Sequence, residues 1–245
     1  MSTFSSQNRT DLASELIKAH TTRVNDLISR TVVTVDEKTS SLINKPPGKY
    51  VTLLSPVVTQ GFTEQYPRLV RAIKNSLEKM VKGRKNCLVV GLGNRKMTAD
   101  SLGEAVISRV VVTGEGGVRT FCPQVSGVTG IESYDAVCAI VGKIKPEVVI
   151  AVDSLCAASQ ERLGTAFQLT DTGITPGSGV NNARARLDKV ALGVDVISIG
   201  VPLVVYASTL GAKKEDELIV TPKDVDLLVQ ECATIIANSI NATLR

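Results

Sequence analysis

The chain has 245 residues, of which 43% are hydrophobic and 21% are charged, a composition that supports a sizeable core and argues against disorder. Aromatic residues make up 3% and tryptophan is absent, which argues against a surface that stacks sugars or bases. The net charge of +4 comes from basic residues scattered along the chain, so we expect no nucleic-acid partner. No apolar stretch is long enough to span a bilayer and residues 1–8 lack the apolar core of a secretory signal, so we expect a cytoplasmic protein with no membrane contact.

In chain order, residues 1–8 are expected to be a flexible leader and residues 9–245 a single α/β domain. Apolar residues at helical spacing predict an amphipathic helix over 9–29, which is a candidate surface for self-association. Short β-branched runs predict strands at 31–35, 50–54, 88–90, 118–122, 148–152, 166–170 and 194–201. Helices are predicted at 64–82, from a cap at Thr98 to about 112, at 131–143 and at 222–242. Because strands alternate with helices, we expect a three-layer α/β fold with a mostly parallel sheet flanked by helices.

One strand-turn-helix stretch carries the first candidate site residue. The run at 88–90 leads into a turn containing Gly91 and Gly93, and Asp100 lies in the first turn of the helix that follows. Asp153 follows the most apolar predicted strand of the chain. If the two strands are parallel neighbours, both carboxylates lie at the same edge of the sheet, where open α/β sheets bind ligands. Two carboxylates there can share a proton, activate a water or hold a metal, whereas each aspartate alone could be an ordinary helix-terminal or strand-end residue.

The sequence contains few of the residues that other common catalytic and cofactor-binding sites need. The single histidine, His20, lies far from both aspartates in the sequence, which argues against a histidine-based triad or zinc site. Cys156 is a possible thiolate nucleophile without a histidine base, and the cysteines show no CxxC pairing. The turn at 91–96 has a lysine where a dinucleotide-binding motif needs its third glycine, and no Walker motif occurs, so no cofactor is expected. The segment 171–179 is either an anion-binding backbone nest or a surface loop.

Several segments together resemble the germination protease (spore endopeptidase) family, in the family's order and over most of the chain from residue 9 onward. The matching blocks are Arg9-Thr-Asp-Leu-Ala13, Val90-Gly-Leu-Gly-Asn94, Thr98-x-Asp100-x-Leu-Gly103, Gly127-Val-x-Gly-Ile-Glu132, Lys145-Pro-x-x-Val-Ile-Ala-Val-Asp153, Asp171-Thr-Gly-Ile-x-Pro-Gly-Ser-Gly-Val180, Ile199-Gly-Val-Pro202 and Val220-Thr-Pro-Lys-x-Val-Asp226.

The resemblance implies an atypical aspartic endopeptidase that is made as a zymogen, forms a homo-oligomer (a tetramer) and degrades small acid-soluble spore proteins in the spore core or forespore. The two aspartates implicated in the family correspond to Asp100 and Asp153 here. The implied fold is the phosphorylase/hydrolase-like fold of the hydrogenase maturation peptidases. The chain departs from the family pattern at Arg95, Lys96, Ala99 and Tyr206, and in a shortened segment at 210–219.

Our leading hypothesis is therefore a peptide-bond hydrolase in which Asp100 and Asp153 act as a coupled pair, one protonated and one ionised. The N–H groups around Gly91, Gly93 and Asn94, or around Gly177, Ser178 and Gly179, are candidates for binding substrate and stabilising an oxyanion. A metal-assisted peptidase of the maturation type is one alternative, although we expect no metal. A catalytically silent relative that only binds spore proteins is the other.

Overall fold

The computed structural model describes residues 9–180, 184–211 and 218–245, so the leader predicted at 1–8 lies outside the described residues. The strands in this part of the chain are β1 Thr21–Arg23, β2 Ser29–Val35, β3 Gly48–Leu54, β4 Cys87–Gly91, β5 Val118–Phe121, β6 Val148–Ala157, β7 Ala166–Thr170, β8 Asp195–Tyr206 and β9 Ile219–Val220. The helices are α1 Ala13–Leu16, α2 Glu37–Ile43, α3 Tyr66–Val81, α4 Leu102–Ile107, α5 Ser126–Thr129, α6 Ser133–Ile144, α7 Lys189–Leu192 and α8 Val225–Leu244.

The described strands form one mixed sheet in the order β1-β2-β3-β7-β8-β6-β4-β5, with β9 pairing to β8. The neighbours β5, β4, β6 and β8 are parallel, as predicted. The rest of the sheet is antiparallel, which the expectation of a mostly parallel sheet did not include. For β1 and β2, the link at 24–28 is too short for the crossover that parallel neighbours need.

Helices cover both faces of the sheet, so the predicted three-layer α/β fold is confirmed. On one face, α3, α4 and α8 bury their apolar sides against strand residues such as Val89, Ile150 and Ile199. On the other face, Val137 and Val141 of α6 pack against neighbouring strand residues of β4 and β6. Burial on both faces accounts for the unbroken apolar runs of the parallel strands. Among the described residues, no helix is both long and apolar enough to cross a membrane.

The helix predicted over 9–29 is wrong. This segment instead forms the short α1, strand β1 and the beginning of β2, and His20 is exposed between α1 and β1. Contacts with distant parts of the chain replace helical hydrogen bonds: Asp11 N–H donates to Cys156 O at 2.9 Å, and Ala13 N–H donates to the side chain of Gln168 at 2.8 Å. The helical spacing of apolar residues reflected packing on the sheet, not one continuous helix.

Candidate active site

Asp153 lies at an edge of the sheet because a neighbouring strand ends there. The strand predicted to finish at Asp153 continues to Ala157, which corrects the sequence-based boundary. β6 can continue because its other edge stays paired with β8, with Asp153 opposite Gly200. On the β4 side, pairing ends at Gly91, opposite Val152. Asp153 is thus the first residue of β6 beyond the reach of β4.

Asp100 is held next to that edge by the turn after β4. Thr98–Asp100 forms a single 3-10 turn, and α4 begins only at Leu102, so the predicted helix cap at Thr98 is wrong. The N–H of Asn94 donates both to the carbonyl oxygen of Asp100 and to its carboxylate Oδ2, each at 2.9 Å. These two bonds fix the carboxylate relative to the end of β4.

The glycines of the turn make room for chain packing and for Asp100. Gly93 has φ +106°, and a Cβ atom there would lie 2.1 Å from the carbonyl oxygen of Asp100. Gly91 lies inside β4, and a Cβ atom there would lie 2.4 Å from the carbonyl oxygen of Gly103 at the start of α4. The closeness of β4 and α4 therefore depends on Gly91, and the position of Asp100 depends on Gly93.

The two aspartates differ in their electrostatic surroundings. Burial raises the pKa of Asp100 to about 6, while the Asn94 N–H and the positive charge of Arg184 act in the opposite direction. Asp153 is 6% exposed. Its burial, followed by the negative charges of Asp100 and Asp11, raises its pKa well above the usual value, against a hydrogen bond from Ser154 N–H. Burial thus favours the protonated form of both carboxyl groups, and the negative charge of Asp100 favours it further at Asp153.

The second predicted glycine loop packs against a third acid, Asp11, which the sequence analysis did not assign to the site. Ser178 Oγ donates to Asp11 Oδ1 at 2.7 Å, and a Cβ atom on Gly179 would lie 2.2 Å from Asp11 Oδ2. The backbone N–H of Cys156 donates to the same Oδ2 at 2.9 Å. Gly177 precedes this turn with φ +74°. The available sequence signal was the Arg9-Thr-Asp-Leu-Ala13 block, to which no role had been attached.

Arg184 is the other residue near the pair that sequence reasoning missed. Its Nη1 donates to Ser126 Oγ at 2.7 Å and to Glu132 Oε2 at 3.2 Å. These contacts hold its guanidinium where its charge lowers the pKa of Asp100. No motif pointed to it, because its partners lie in a different part of the sequence.

A cavity of about 750 Å³ lies next to the segment of Asp11, and neither Asp100 nor Asp153 is among the residues that line it. Asp11 and Ser178 line it, as does Gly200, the strand partner of Asp153. Buried polar side chains of the sheet also line it, including Gln168, Thr170 and Ser198. A cavity of this size with several polar groups in its lining can receive part of a peptide.

The structure also bears on the alternative chemistries. Burial raises the pKa of the Cys156 thiol to about 12, which argues against a thiolate nucleophile at neutral pH. Within residues 9–180, 184–211 and 218–245, no group of three His, Cys, Asp or Glu side chains is arranged to hold a metal ion.

The sequence comparisons with known proteins agree on one family. A family model for germination protease matches residues 3–216. The germination protease of Clostridium acetobutylicum is 32% identical over 288 residues, covering 94% of this chain and 88% of that protein. That of Oceanobacillus iheyensis is 41% identical over 198 residues, covering 73% of this chain and 53% of that protein. Among solved structures, the NiFe hydrogenase maturation protease HycI from Thermococcus kodakarensis KOD1 covers 69% of this chain and 98% of its own, with 22% identity and a TM-score of 0.48. The chain belongs to the germination protease family of peptidases.

Proposed function

We propose that this chain is an endopeptidase that hydrolyses small acid-soluble spore proteins during germination, with Asp100 and Asp153 as its catalytic pair. The observation that carries the proposal is the position of Asp153 at the edge of the sheet where β4 ends, with Asp100 in the turn that follows β4; burial, and then the charge of Asp100, raise the pKa of Asp153. Coupled carboxyl groups with different proton affinities are suited to acid–base hydrolysis.

Asp100 acts as the general base and Asp153 as the general acid in this mechanism. The ionised carboxylate of Asp100 takes a proton from a water molecule as the water oxygen bonds to the scissile carbonyl carbon. Asp153 donates its proton to the carbonyl oxygen, which gives a neutral tetrahedral gem-diol. As the C–N bond breaks, the leaving nitrogen receives a proton from Asp100. The forming carboxyl group returns a hydroxyl proton to Asp153, which restores the starting protonation state.

The glycine turns supply the candidate groups for binding the substrate. The N–H of Asn94 already donates to Asp100, so its proposed role is to orient the base. The N–H groups of Gly91, Gly93, Gly177 and Gly179 are the candidates for stabilising the developing oxyanion, and Ser178 lines the cavity beside them. We propose that the substrate chain enters through this polar cavity.

The remaining parts of the proposal rest on family membership. The relatives are named for germination, so we propose that the activity belongs to the spore, in the cytoplasm of the spore core or forespore. Zymogen processing and assembly into a homo-oligomer, a tetramer, are proposed on the same ground. The structure changes one detail, because the continuous N-terminal helix suggested as a contact surface does not form.

The test is a cleavage assay on purified small acid-soluble spore proteins. We expect Asp100→Asn and Asp153→Asn each to lower cleavage by at least about 100-fold, the scale of general acid–base catalysis. Asp26→Asn is the matched control, since Asp26 is exposed and forms an ion pair with Arg23 in a hairpin loop. Circular dichroism must show that each variant is folded.

Three outcomes would contradict the proposal. Full activity in a folded Asp153→Asn variant would rule out the aspartate pair. Loss of wild-type activity on exhaustive chelation, restored by a divalent metal, would favour the metal-assisted alternative. Binding of the spore proteins without fragments would favour a catalytically silent relative.

A further inference from the structure

The backbone around Asp11 is joined to the strand that carries Asp153. Its N–H donates to Cys156 O at 2.9 Å, and the N–H of Cys156 donates back to Asp11 Oδ2 at 2.9 Å. The carbonyl oxygen of Asp11 accepts from Nε2 of Gln168, a buried residue of β7, also at 2.9 Å. These three bonds place the Asp11 carboxylate beside β6, three residues beyond Asp153.

The Asp11 carboxylate also joins β6 to the glycine loop. Its Oδ1 accepts from Ser178 Oγ at 2.7 Å, and Gly179 packs against its Oδ2. Lys45 Nζ lies 3.8 Å from Oδ1, and the Asp11 side chain is only 15% exposed. The carboxylate is therefore held by three separate parts of the chain in a position with little access to solvent.

Hydrogen bonding alone does not require a charged group at this position. An asparagine could accept from Cys156 N–H through Oδ1 and donate to the Ser178 hydroxyl through Nδ2. A carboxylate adds a negative charge, which Lys45 Nζ at 3.8 Å balances in part. This charge is the feature of Asp11 that its hydrogen bonds alone do not require.

We propose that Asp11 is a positioning residue of the peptidase site, whose carboxylate ties the glycine loop to β6 and whose charge sets the upper end of the pH range in which the aspartate pair works. This inference rests on the proposed function and adds a third acid to it. Asp11 does not exchange protons with the substrate; it acts through Asp153.

The charge of Asp11 acts on Asp153 and not on Asp100. The negative charges that raise the pKa of Asp153 are those of Asp100 and Asp11. The pKa of Asp100 responds instead to burial, Asn94 and Arg184. Three charged side chains lie around Asp11: Lys45, whose Nζ is 3.8 Å from Asp11 Oδ1, and Arg9 and Glu15 of its own segment. Oε1 of Glu15 in turn lies 3.9 Å from Nε of Arg162 in a neighbouring turn. Removing the charge of Asp11 should therefore weaken proton binding by Asp153 and leave Asp100 unchanged.

The test is the pH profile of kcat/KM for the Asp11→Asn variant on small acid-soluble spore proteins. Activity on the alkaline side is lost when Asp153 releases its proton. We expect the alkaline midpoint to move to lower pH by about one unit, with the acid midpoint unchanged, because one like charge has been removed. At a pH between the two alkaline midpoints, this shift appears as a loss of several-fold in kcat/KM.

Two variants separate charge from structure. Ser178→Ala removes a hydrogen bond of Asp11 but keeps its charge, so its alkaline midpoint should match that of the wild type whatever its effect on kcat. Asp26→Asn removes an exposed negative charge far from the site and should leave the whole profile unchanged. If Asp11→Asn is folded but too slow to profile, the ¹³C carboxyl titration of Asp153 gives the same test, with the signal assigned by its loss in Asp153→Asn.

The outcomes distinguish this inference from the proposed function. An Asp11→Asn variant whose alkaline midpoint and Asp153 titration both match the wild type overturns the role of Asp11, while the aspartate pair stands. A fully active, folded Asp153→Asn variant overturns the aspartate pair itself, whatever Asp11→Asn does. A midpoint that moves to lower pH in Asp11→Asn alone supports the inference.

Discussion

Gly179 lies so close to Asp11 that a Cβ atom at position 179 would be 2.2 Å from Asp11 Oδ2 and 2.7 Å from Cys156 Cβ. Cβ atoms in proteins do not approach other atoms this closely, and Cys156 belongs to the buried strand β6, which cannot move aside easily. The glycine at this position is therefore a requirement of the contact between the loop and the acid.

The Gly179→Ala variant should lower peptidase activity. The added methyl group must displace either the loop or the Asp11 carboxylate, and we expect kcat/KM to fall by about tenfold or more, as misplacement by about 1 Å can cause. Steady-state cleavage assays measure the effect. Gly142→Ala is the matched control, since a Cβ atom there in α6 meets nothing within 4 Å. Equal kcat/KM in the two variants would contradict the prediction.

The Gly93→Ala variant should displace Asp100 directly. Gly93 has φ +106°, and a Cβ atom there would lie 2.1 Å from the carbonyl oxygen of Asp100. An alanine would therefore have a strained backbone, and its Cβ atom would overlap Asp100. We expect a loss of about 1–3 kcal/mol in the free energy of unfolding and a large loss of cleavage. Gly130→Ala carries a similar backbone cost, with φ +75°, but has nothing within 4 Å. Denaturant unfolding and cleavage assays of both variants separate the loss of activity caused by displacing Asp100 from the loss caused by backbone strain. Equal cleavage activities in the two variants would contradict a displacement of Asp100.

Several strands and helices of the fold could be predicted because their signals are local. β7 was predicted at its observed bounds, Ala166–Thr170, and α3 and α8 within a few residues, since each has an apolar pattern of sufficient length. The prediction of a pair formed by Asp100 and Asp153 used their positions after neighbouring strands, and it stays a prediction. β6 continues past Asp153, and the end of β4 at Gly91 opens the edge of the sheet there.

The remainder of the site depends on contacts that no local pattern encodes. Asp11 reaches Cys156 across 145 residues of sequence, and its segment carries a helical apolar pattern that the sheet overrides. Arg184 influences Asp100 from a loop held by Ser126 and Glu132. Tertiary packing determines both positions, so neither follows from propensity or periodicity.

The Asp100→Asn variant should be more stable than the wild type at neutral pH and, under the proposed mechanism, inactive. The folded-state pKa of Asp100 is about 6, above the ordinary value of 3.8, so the folded state binds the proton more tightly than the unfolded state. The stability of the wild type therefore falls as pH rises from about 4 through 6, and above that range a partly buried charge remains. Asparagine avoids this cost and can still accept from Asn94 N–H.

We expect Asp100→Asn to raise the free energy of unfolding by about 1–3 kcal/mol at pH 7 and to change it little at pH 3.5, where both states of the wild type bind the proton. Urea unfolding at the two pH values measures the difference. Asp26→Asn should show no comparable dependence on pH, since Asp26 is exposed. An Asp100→Asn variant that is less stable than the wild type at pH 7 would contradict the argument.

The Arg184→Gln variant should move the acid side of the pH profile, which complements the effect expected at Asp11. The charge of Arg184 lowers the pKa of Asp100, so its removal raises that pKa above about 6 and the base ionises later. We expect the acid midpoint of kcat/KM to move to higher pH by about 0.5–1 unit, with the alkaline midpoint unchanged. Arg184→Lys keeps the charge and should restore most of the wild-type profile.

Glu132→Gln distinguishes the charge of Arg184 from its contacts. This change removes the ion pair at 3.2 Å but leaves the guanidinium charge, which is then less neutralised near Asp100. The acid midpoint should stay in place or move to lower pH, opposite to the effect of Arg184→Gln. Shifts to higher pH in both variants would show that Arg184 acts by holding the loop in place, because loss of its contacts is the one change that the two variants share.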